Sequence, residues 1–142
     1  MVASSRPVAR IDFLGTGNAF SPPGRMHALT LLDGSVLVDA PPTVLVQLRR
    51  AGVSPAELKH LLITHWHADH TFGFPFILLE RKYISVPESE DTLGVHLRPG
   101  GRELLSGLCA TGFPGSLDDA MDSGVDWSHS ESGALELSLI HI

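Results

Sequence analysis

The sequence predicts a layered α/β domain, of the α+β type, in which a mixed sheet carries flanking helices. Segments with the two-residue alternation of strands take turns with segments of helical periodicity along the chain. Two β-rich runs near the start flank Asp33-Gly34, a dipeptide that favours a tight antiparallel hairpin. The continuous apolar run at 61–64 is typical of a fully buried strand. Together these observations predict a mixed sheet, with antiparallel pairing at the hairpin and parallel pairing at the buried strand.

The elements predicted for the first half of the chain are short. Strand-like patterns cover residues 8–14, 28–32 and 35–38. Thr43 is a candidate N-cap for a helix that Gly52 stops. Ser54, with proline after it and glutamate three residues on, predicts the capping box of a very short helix.

The second half continues the alternation and then changes character. Helices are predicted over 74–83 and 102–110, with a strand at 92–97 between them. Residues 114–133 are rich in Asp, Ser and Gly with little periodicity, so we expect a loop or a poorly ordered segment there. Residues 134–142 alternate well enough for a terminal strand.

Length and composition limit the classes of function. A chain of 142 residues is sized for one core, and its net charge of −6 argues against broad electrostatic binding to nucleic acid. The single cysteine, Cys109, allows no intrachain disulfide, which fits a reducing, cytoplasmic location, and its apolar helical neighbours predict a core residue. The strongest apolar run, 72–79, is too short to span a bilayer, so no membrane partner is expected.

The strongest chemical signal is a cluster that directly follows the predicted strand at 61–64. His65 and His67 are two residues apart, and at the end of an extended strand they point to the same side, where they can chelate one ion. Asp69 and His70 are adjacent, so in extended backbone their side chains diverge and can serve a second ion. Two metals about 3.5–4 Å apart can activate a water whose pKa falls to about 7.

The segment 65–70 resembles the signature of the metallo-β-lactamase-fold hydrolase superfamily. Three further segments, 13–17, 38–40 and 71–75, resemble the branch that contains ribonuclease Z and related phosphodiesterases. The resemblance implies an αβ/βα sandwich built from two similar halves, of which residues 8–113 would be the N-terminal half. It also implies a zinc-dependent hydrolase, in this branch a phosphodiesterase, with metal-bound hydroxide as nucleophile.

The resemblance also assigns roles to single residues. It implies that His65 and His67 bind the first zinc and that Asp69 and His70 bind the second. Asp69 would in addition accept the proton of the nucleophilic water. Asp39 would support the metal loop without being a primary ligand. Two zinc ions are expected in the complete domain, with iron or manganese as alternatives.

The resemblance requires three more ligands, which places part of the site outside this cluster. His141 is a candidate third histidine, weighed against a strand-end histidine without a role. Residues 137–142 also resemble a translated adapter tail, which would make that strand non-native. The acidic residues of 114–133 are more simply a solvated loop than a bridging carboxylate.

Several alternatives stay open from the sequence alone. The substrate would be a small-molecule or nucleic-acid phosphodiester, while relatives with the same signature act on thioesters and lactones or are iron-dependent oxidoreductases. A third hypothesis is an inactive truncated fragment that binds metal weakly. A homodimer is one assembly that the sequence allows. Trp66 is read equally as a substrate-stacking or a packing residue, and His60 and His96 as surface residues.

Overall fold

A mixed sheet lies at the centre of the computed structural model, which describes residues 9–87 and 91–129. In this part of the chain the sheet has six strands, and their order in the sheet follows their order in the sequence. The first three strands pair antiparallel and the last four, from β3 onward, pair parallel. The mixed sheet predicted from the sequence is therefore confirmed. The strands are β1 (Ile11–Gly15), β2 (Leu29–Leu32), β3 (Val36–Val38), β4 (His60–Leu62), β5 (Leu93–Leu97) and β6 (Val125–His129).

Helices connect the parallel strands and cover one face of the sheet. On that face Leu37, Leu61 and Val95 stand side by side in register, and each is fully buried. The helices are α1 (Val44–Arg50), α2 (Ala68–Thr71), α3 (Phe74–Glu80), α4 (Gly101–Gly112) and α5 (Asp118–Ser123), with a 3-10 turn at Pro55–Glu57 and a π-helical turn at Arg81–Ser85. No helix in the described ranges is long and apolar enough to cross a membrane.

The opposite face of the sheet carries the alternate strand residues. Leu62 and His96 are neighbours in register there, because successive strand residues point to opposite faces. On β1 the apolar side chains of Ile11 and Phe13 are 57% and 71% exposed. The main hydrophobic core therefore lies between the sheet and the helices.

Two local predictions are confirmed in detail. The Asp33-Gly34 turn joins β2 to β3, and both residues have positive φ, 49° and 72°, as a tight hairpin turn of this kind requires. The capping box at the 3-10 turn is also present: Ser54 Oγ accepts from the backbone N–H of Ala56 at 3.2 Å, and the Ser54 N–H donates to Glu57 Oε2 at 2.6 Å.

The loop expected over 114–133 is wrong for its middle part. It contains α5 and β6, and β6 pairs with β5 along five residues. Only a few apolar side chains anchor this segment, among them Leu117, which is fully buried, and Trp127, whose indole N–H donates to the Met121 carbonyl at 2.9 Å. Tertiary burial of so few residues overrides a weak local pattern. The strand predicted over 134–142, with His141, lies outside the described residues.

Candidate metal centre

The histidine cluster lies at the carboxyl ends of two neighbouring parallel strands. β3 leads into Asp39 and β4 leads into Ile63, and the Asp39 N–H donates to the Leu62 carbonyl at 2.7 Å. Ile63 is held in turn by the carbonyl of His96 on β5, at 3.0 Å. Crevices outside the carboxyl ends of parallel strands are the usual ligand sites of such sheets. The fold therefore presents the cluster at the edge where a site is expected.

Asp39 joins the two ends of the cluster. Its side chain is buried and accepts three hydrogen bonds, from Thr64 N at 2.8 Å, Thr64 Oγ1 at 2.7 Å and His70 Nδ1 at 2.7 Å. The residue has φ of 72°, a conformation that aspartate tolerates better than most side chains. This arrangement fits the supporting role that the resemblance implies for Asp39.

The same hydrogen bonds orient the histidine rings. Thr64 Oγ1 gives its only proton to Asp39, so it accepts from Nδ1 of His65, 3.1 Å away. His70 likewise donates from Nδ1 to Asp39. With the proton on Nδ1, the Nε2 atom of each ring carries a free lone pair, which is the form of histidine that binds a metal. The tautomers therefore suit metal binding by His65 and His70.

The rings and the carboxylate are close to one another. The His65 ring centroid is 4.9 Å from that of His67 and 3.9 Å from that of His70. Nε2 of His70 is 3.2 Å from Oδ2 of Asp69. Two ligands of a tetrahedral zinc with bonds of about 2.1 Å are separated by roughly 3.3 Å. The Asp69 and His70 pair thus has the spacing that one ion requires.

The expectation that Asp69 and His70 diverge is wrong, because they do not lie in extended backbone. Both belong to α2, in which adjacent side chains are about 100° apart instead of about 180°. The helix starts directly after His67, and Thr71 Oγ1 donates to the His67 carbonyl at 3.0 Å. A helix of only four residues leaves no periodic signal in the sequence.

The described donors do not by themselves complete a metal site. Across residues 9–87 and 91–129, no group of three or more His, Cys, Asp or Glu side chains is arranged to hold one metal ion. His65 with His67, and Asp69 with His70, would each supply two donors. The chemistry of this set, imidazole nitrogen and carboxylate oxygen, suits zinc and also iron or manganese.

A second histidine pair, which sequence reasoning missed, lies on the open face of the sheet. His60 Nδ1 and His96 Nε2 are 2.8 Å apart across β4 and β5. The expectation of two independent surface histidines is wrong, because His60 stands beside Gly94, where no side chain keeps the rings apart. Burial lowers the pKa of both rings, and the Asp126 carboxylate partly opposes this.

Two other residues have packing roles. A Cβ added at Gly101 would meet the indole of Trp66, so Trp66 packs on α4. Cys109 is fully buried in the core, and burial raises the pKa of its thiol to about 12. A thiol in that state is a poor nucleophile, which agrees with the core position predicted from the sequence.

Comparison with known proteins places the chain in a family. The family model described as "Anti-Pycsar protein Apyc1" matches residues 9–96. Ribonuclease Z of Pyrobaculum islandicum is 37% identical over 82 residues, which are 55% of this chain and 29% of the relative. Ribonuclease Z of Aeropyrum pernix is 36% identical over 133 residues, covering 83% of this chain and 41% of the relative. The chain thus spans less than half the length of these relatives.

Solved structures agree on the fold. Human tRNase Z, short form, superposes with a TM-score of 0.61 and 25% identity, covering 74% of this chain and 39% of that one. YhfI of Bacillus subtilis, a metallo-β-lactamase fold protein, superposes with a TM-score of 0.60 and 19% identity, covering 70% of this chain and 42% of that one. The family model covers more than half of the sequence, and the structural neighbours share its sheet. The chain therefore belongs to the family described as anti-Pycsar protein Apyc1, within the ribonuclease Z-like branch of the metallo-β-lactamase fold.

Proposed function

We propose that this chain supplies the first metal-binding half of a zinc-dependent phosphodiesterase. His65 and His67 hold one ion, and Asp69 and His70 hold the second. The observation that carries the proposal is the hydrogen-bonded cluster itself: Asp39 and Thr64 set the tautomers of His65 and His70, and the Asp69 and His70 donors are 3.2 Å apart. Surface histidines that bind no ligand do not require hydrogen bonds that fix the orientation of their rings.

The reaction class follows from the relatives and from charge. The relatives are named for ribonuclease activity, which is the cleavage of phosphodiester bonds in RNA. This chain has a net charge of −6, so its surface does not attract a long polyanion. Bound divalent ions are the local positive charge that an anionic phosphodiester needs. We infer a small-molecule or nucleic-acid phosphodiester as substrate.

The residues of the cluster have different roles in the proposed reaction. Zinc, when bound, would lower the pKa of a water molecule to about 7 and so supply hydroxide at neutral pH. Asp69 would be the proton acceptor for such a water, and its side chain is only 14% exposed, so bulk water competes little for the carboxylate. Asp39 fixes His70 from behind, and Thr64 fixes His65.

The rest of the site would come from sequence beyond the two described ranges. The chain spans 29–41% of the length of the two ribonuclease Z relatives. We propose that residues 8–113 correspond to the N-terminal half of their domain, with further ligands in the other half. A cytoplasmic location and a homodimer stay predictions, the first resting on the single cysteine.

Metal content and substrate preference test the proposal. We expect the chain to bind about two zinc ions in equilibrium dialysis, and the His67→Ala variant to bind fewer. His129→Ala, which replaces an exposed histidine on β6, is the matched control and should keep the metal. In the complete two-half domain, a chromogenic phosphodiester should be hydrolysed in preference to a thioester and a lactone. Absence of zinc binding would overturn the metal site, and a complete two-half domain that binds zinc without turning over the phosphodiester would contradict the hydrolase assignment.

A further inference from the structure

We propose that Gly101 is a positioning residue for the metal-binding loop, because it leaves the space in which the Trp66 indole is seated. This inference rests on the proposed metal site, since Trp66 lies between the ligands His65 and His67. Gly101 is the first residue of α4, far from the cluster in sequence, and it has no group that could bind a metal. Its role is steric: because it lacks a Cβ, the Trp66 ring can pack against the start of α4.

The fit between helix and ring is tight. A Cβ at Gly101 would overlap Cη2 of Trp66, and it would lie 3.1 Å from Cζ3 of the same ring. It would also lie 2.7 Å from Cδ1 of Leu97, whose side chain is only 4% exposed and has little room to retreat. The Gly101 N–H donates to the Arg98 carbonyl at 3.1 Å, which holds the start of the helix in place. With a side chain at this position, the indole, the Leu97 side chain or the start of α4 must shift, and the indole is the nearest of the contacts.

The indole is the apolar anchor of the loop. Polar contacts hold the loop at its two ends: Asp39 binds Thr64, and Thr71 Oγ1 donates to the His67 carbonyl. Between those ends, the Trp66 side chain packs against the core, and the Trp66 carbonyl accepts a long hydrogen bond from Thr71 Oγ1 at 3.4 Å. His65 directly precedes Trp66 and His67 directly follows it, and the centroids of their rings are 4.9 Å apart. Displacing the indole rotates the backbone between the two ligands and changes the distance between their donor atoms.

The first experiment measures zinc affinity of the whole chain by calorimetry. Gly101→Ala should weaken zinc binding about 10- to 100-fold, the range typical for losing a group that orients a ligand. Gly107→Ala is the matched control, because Gly107 lies in the same helix, is exposed, and has no atom within 4 Å of an added Cβ. It should leave the affinity unchanged. Circular dichroism in chelator shows whether the Gly101→Ala chain is folded.

The second experiment separates positioning from general loss of structure. Trp66→Ala removes the ring, so Gly101→Ala should cost little further zinc affinity in that background. On a Trp127→Phe background Trp66 is the one tryptophan, since the sequence has two, and Gly101→Ala should shift its emission. A shifted emission with unchanged zinc affinity would overturn the proposal, as would an equal loss in both backgrounds.

The outcomes also distinguish this inference from the proposed function. If the unmodified chain binds no zinc, the proposed function fails, whereas the emission shift still reports whether Gly101 seats the indole. If the unmodified chain binds zinc and Gly101→Ala binds it equally well, only the positioning role fails. If Gly101→Ala does not fold, Trp66→Ala decides, because an unchanged zinc affinity in that variant contradicts the anchoring role.

Discussion

Asp39 is the residue on which the geometry of the cluster depends most. Its carboxylate has enough lone pairs to accept from Thr64 twice and from His70 once. It is nearly fully buried, so water cannot replace a lost partner. Asparagine fits the same positive φ but offers a single acceptor oxygen, which makes it a clean test of the hydrogen bonds.

Asp39→Asn should lower the free energy of unfolding by about 1–3 kcal/mol, the cost of leaving a buried donor unsatisfied. Urea unfolding in the presence of a chelator measures this without any contribution from metal. Asp33→Asn is the control, because Asp33 also has positive φ, 49°, but lies in the hairpin turn. Its effect should be about 0.5 kcal/mol or less. Equal losses in the two variants would contradict the special role of Asp39.

Strands β4 and β5 bring His60 and His96 together as a neutral pair. The rings share one hydrogen bond, and Nδ1 of His96 is buried without a partner among the described residues. Burial is the main cause that lowers the pKa of each ring, and Asp126 on β6, the charged group that faces them, acts in the opposite direction. Adding a proton to either neutral ring, which would give it a positive charge, is therefore unfavourable in the folded state.

The pair makes stability depend on pH. Because both folded-state pKa values lie below the ordinary 6.5, the unfolded chain binds protons first as the pH falls below 6.5. The stabilisation is thus complete above that pH and is lost on acidification. Urea unfolding at several pH values should show this loss, and it should be smaller in a His60→Gln/His96→Gln double variant. His129→Gln should behave like the unmodified chain, and an unchanged slope in the double variant would refute the assignment.

Elements with strong local signals were predictable, and elements that depend on contacts were not. The hairpin, the capping box and the buried run before His65 each have a physical cause within a few residues. α2, α5 and β6 do not, because α2 has four residues and β6 is stabilised by pairing with β5. Short elements of this kind form only when the sheet is already in place.

The fold as a whole gathers the cluster at one end of the parallel half of the sheet. The strands β3, β4 and β5 are parallel neighbours in that order, which brings Asp39, Ile63 and His96 to the same edge. Metal binding at that edge would act on the entire folded state, because the candidate ligands are assembled only when the strands are paired.

Zinc should therefore stabilise the whole chain. At a free concentration of about 100 times its Kd, one bound ion adds about 2.7 kcal/mol to the free energy of unfolding. Urea unfolding with zinc and after removal of zinc with a chelator measures the difference. His67→Ala should show a smaller gain. The same unfolding curve in zinc and in chelator would contradict metal binding to the folded chain.

The sequence by itself determined the predicted chemistry and the family of this protein. Residue types and spacing within 65–70 predicted metal ligands, and short flanking segments predicted the branch and the supporting role of Asp39. Only the tertiary structure decided which groups meet: His70 with Asp39, Trp66 with Gly101, and His60 with His96. These partners are about 30 or more residues apart, so their contact depends on strand order and register, which no local pattern contains.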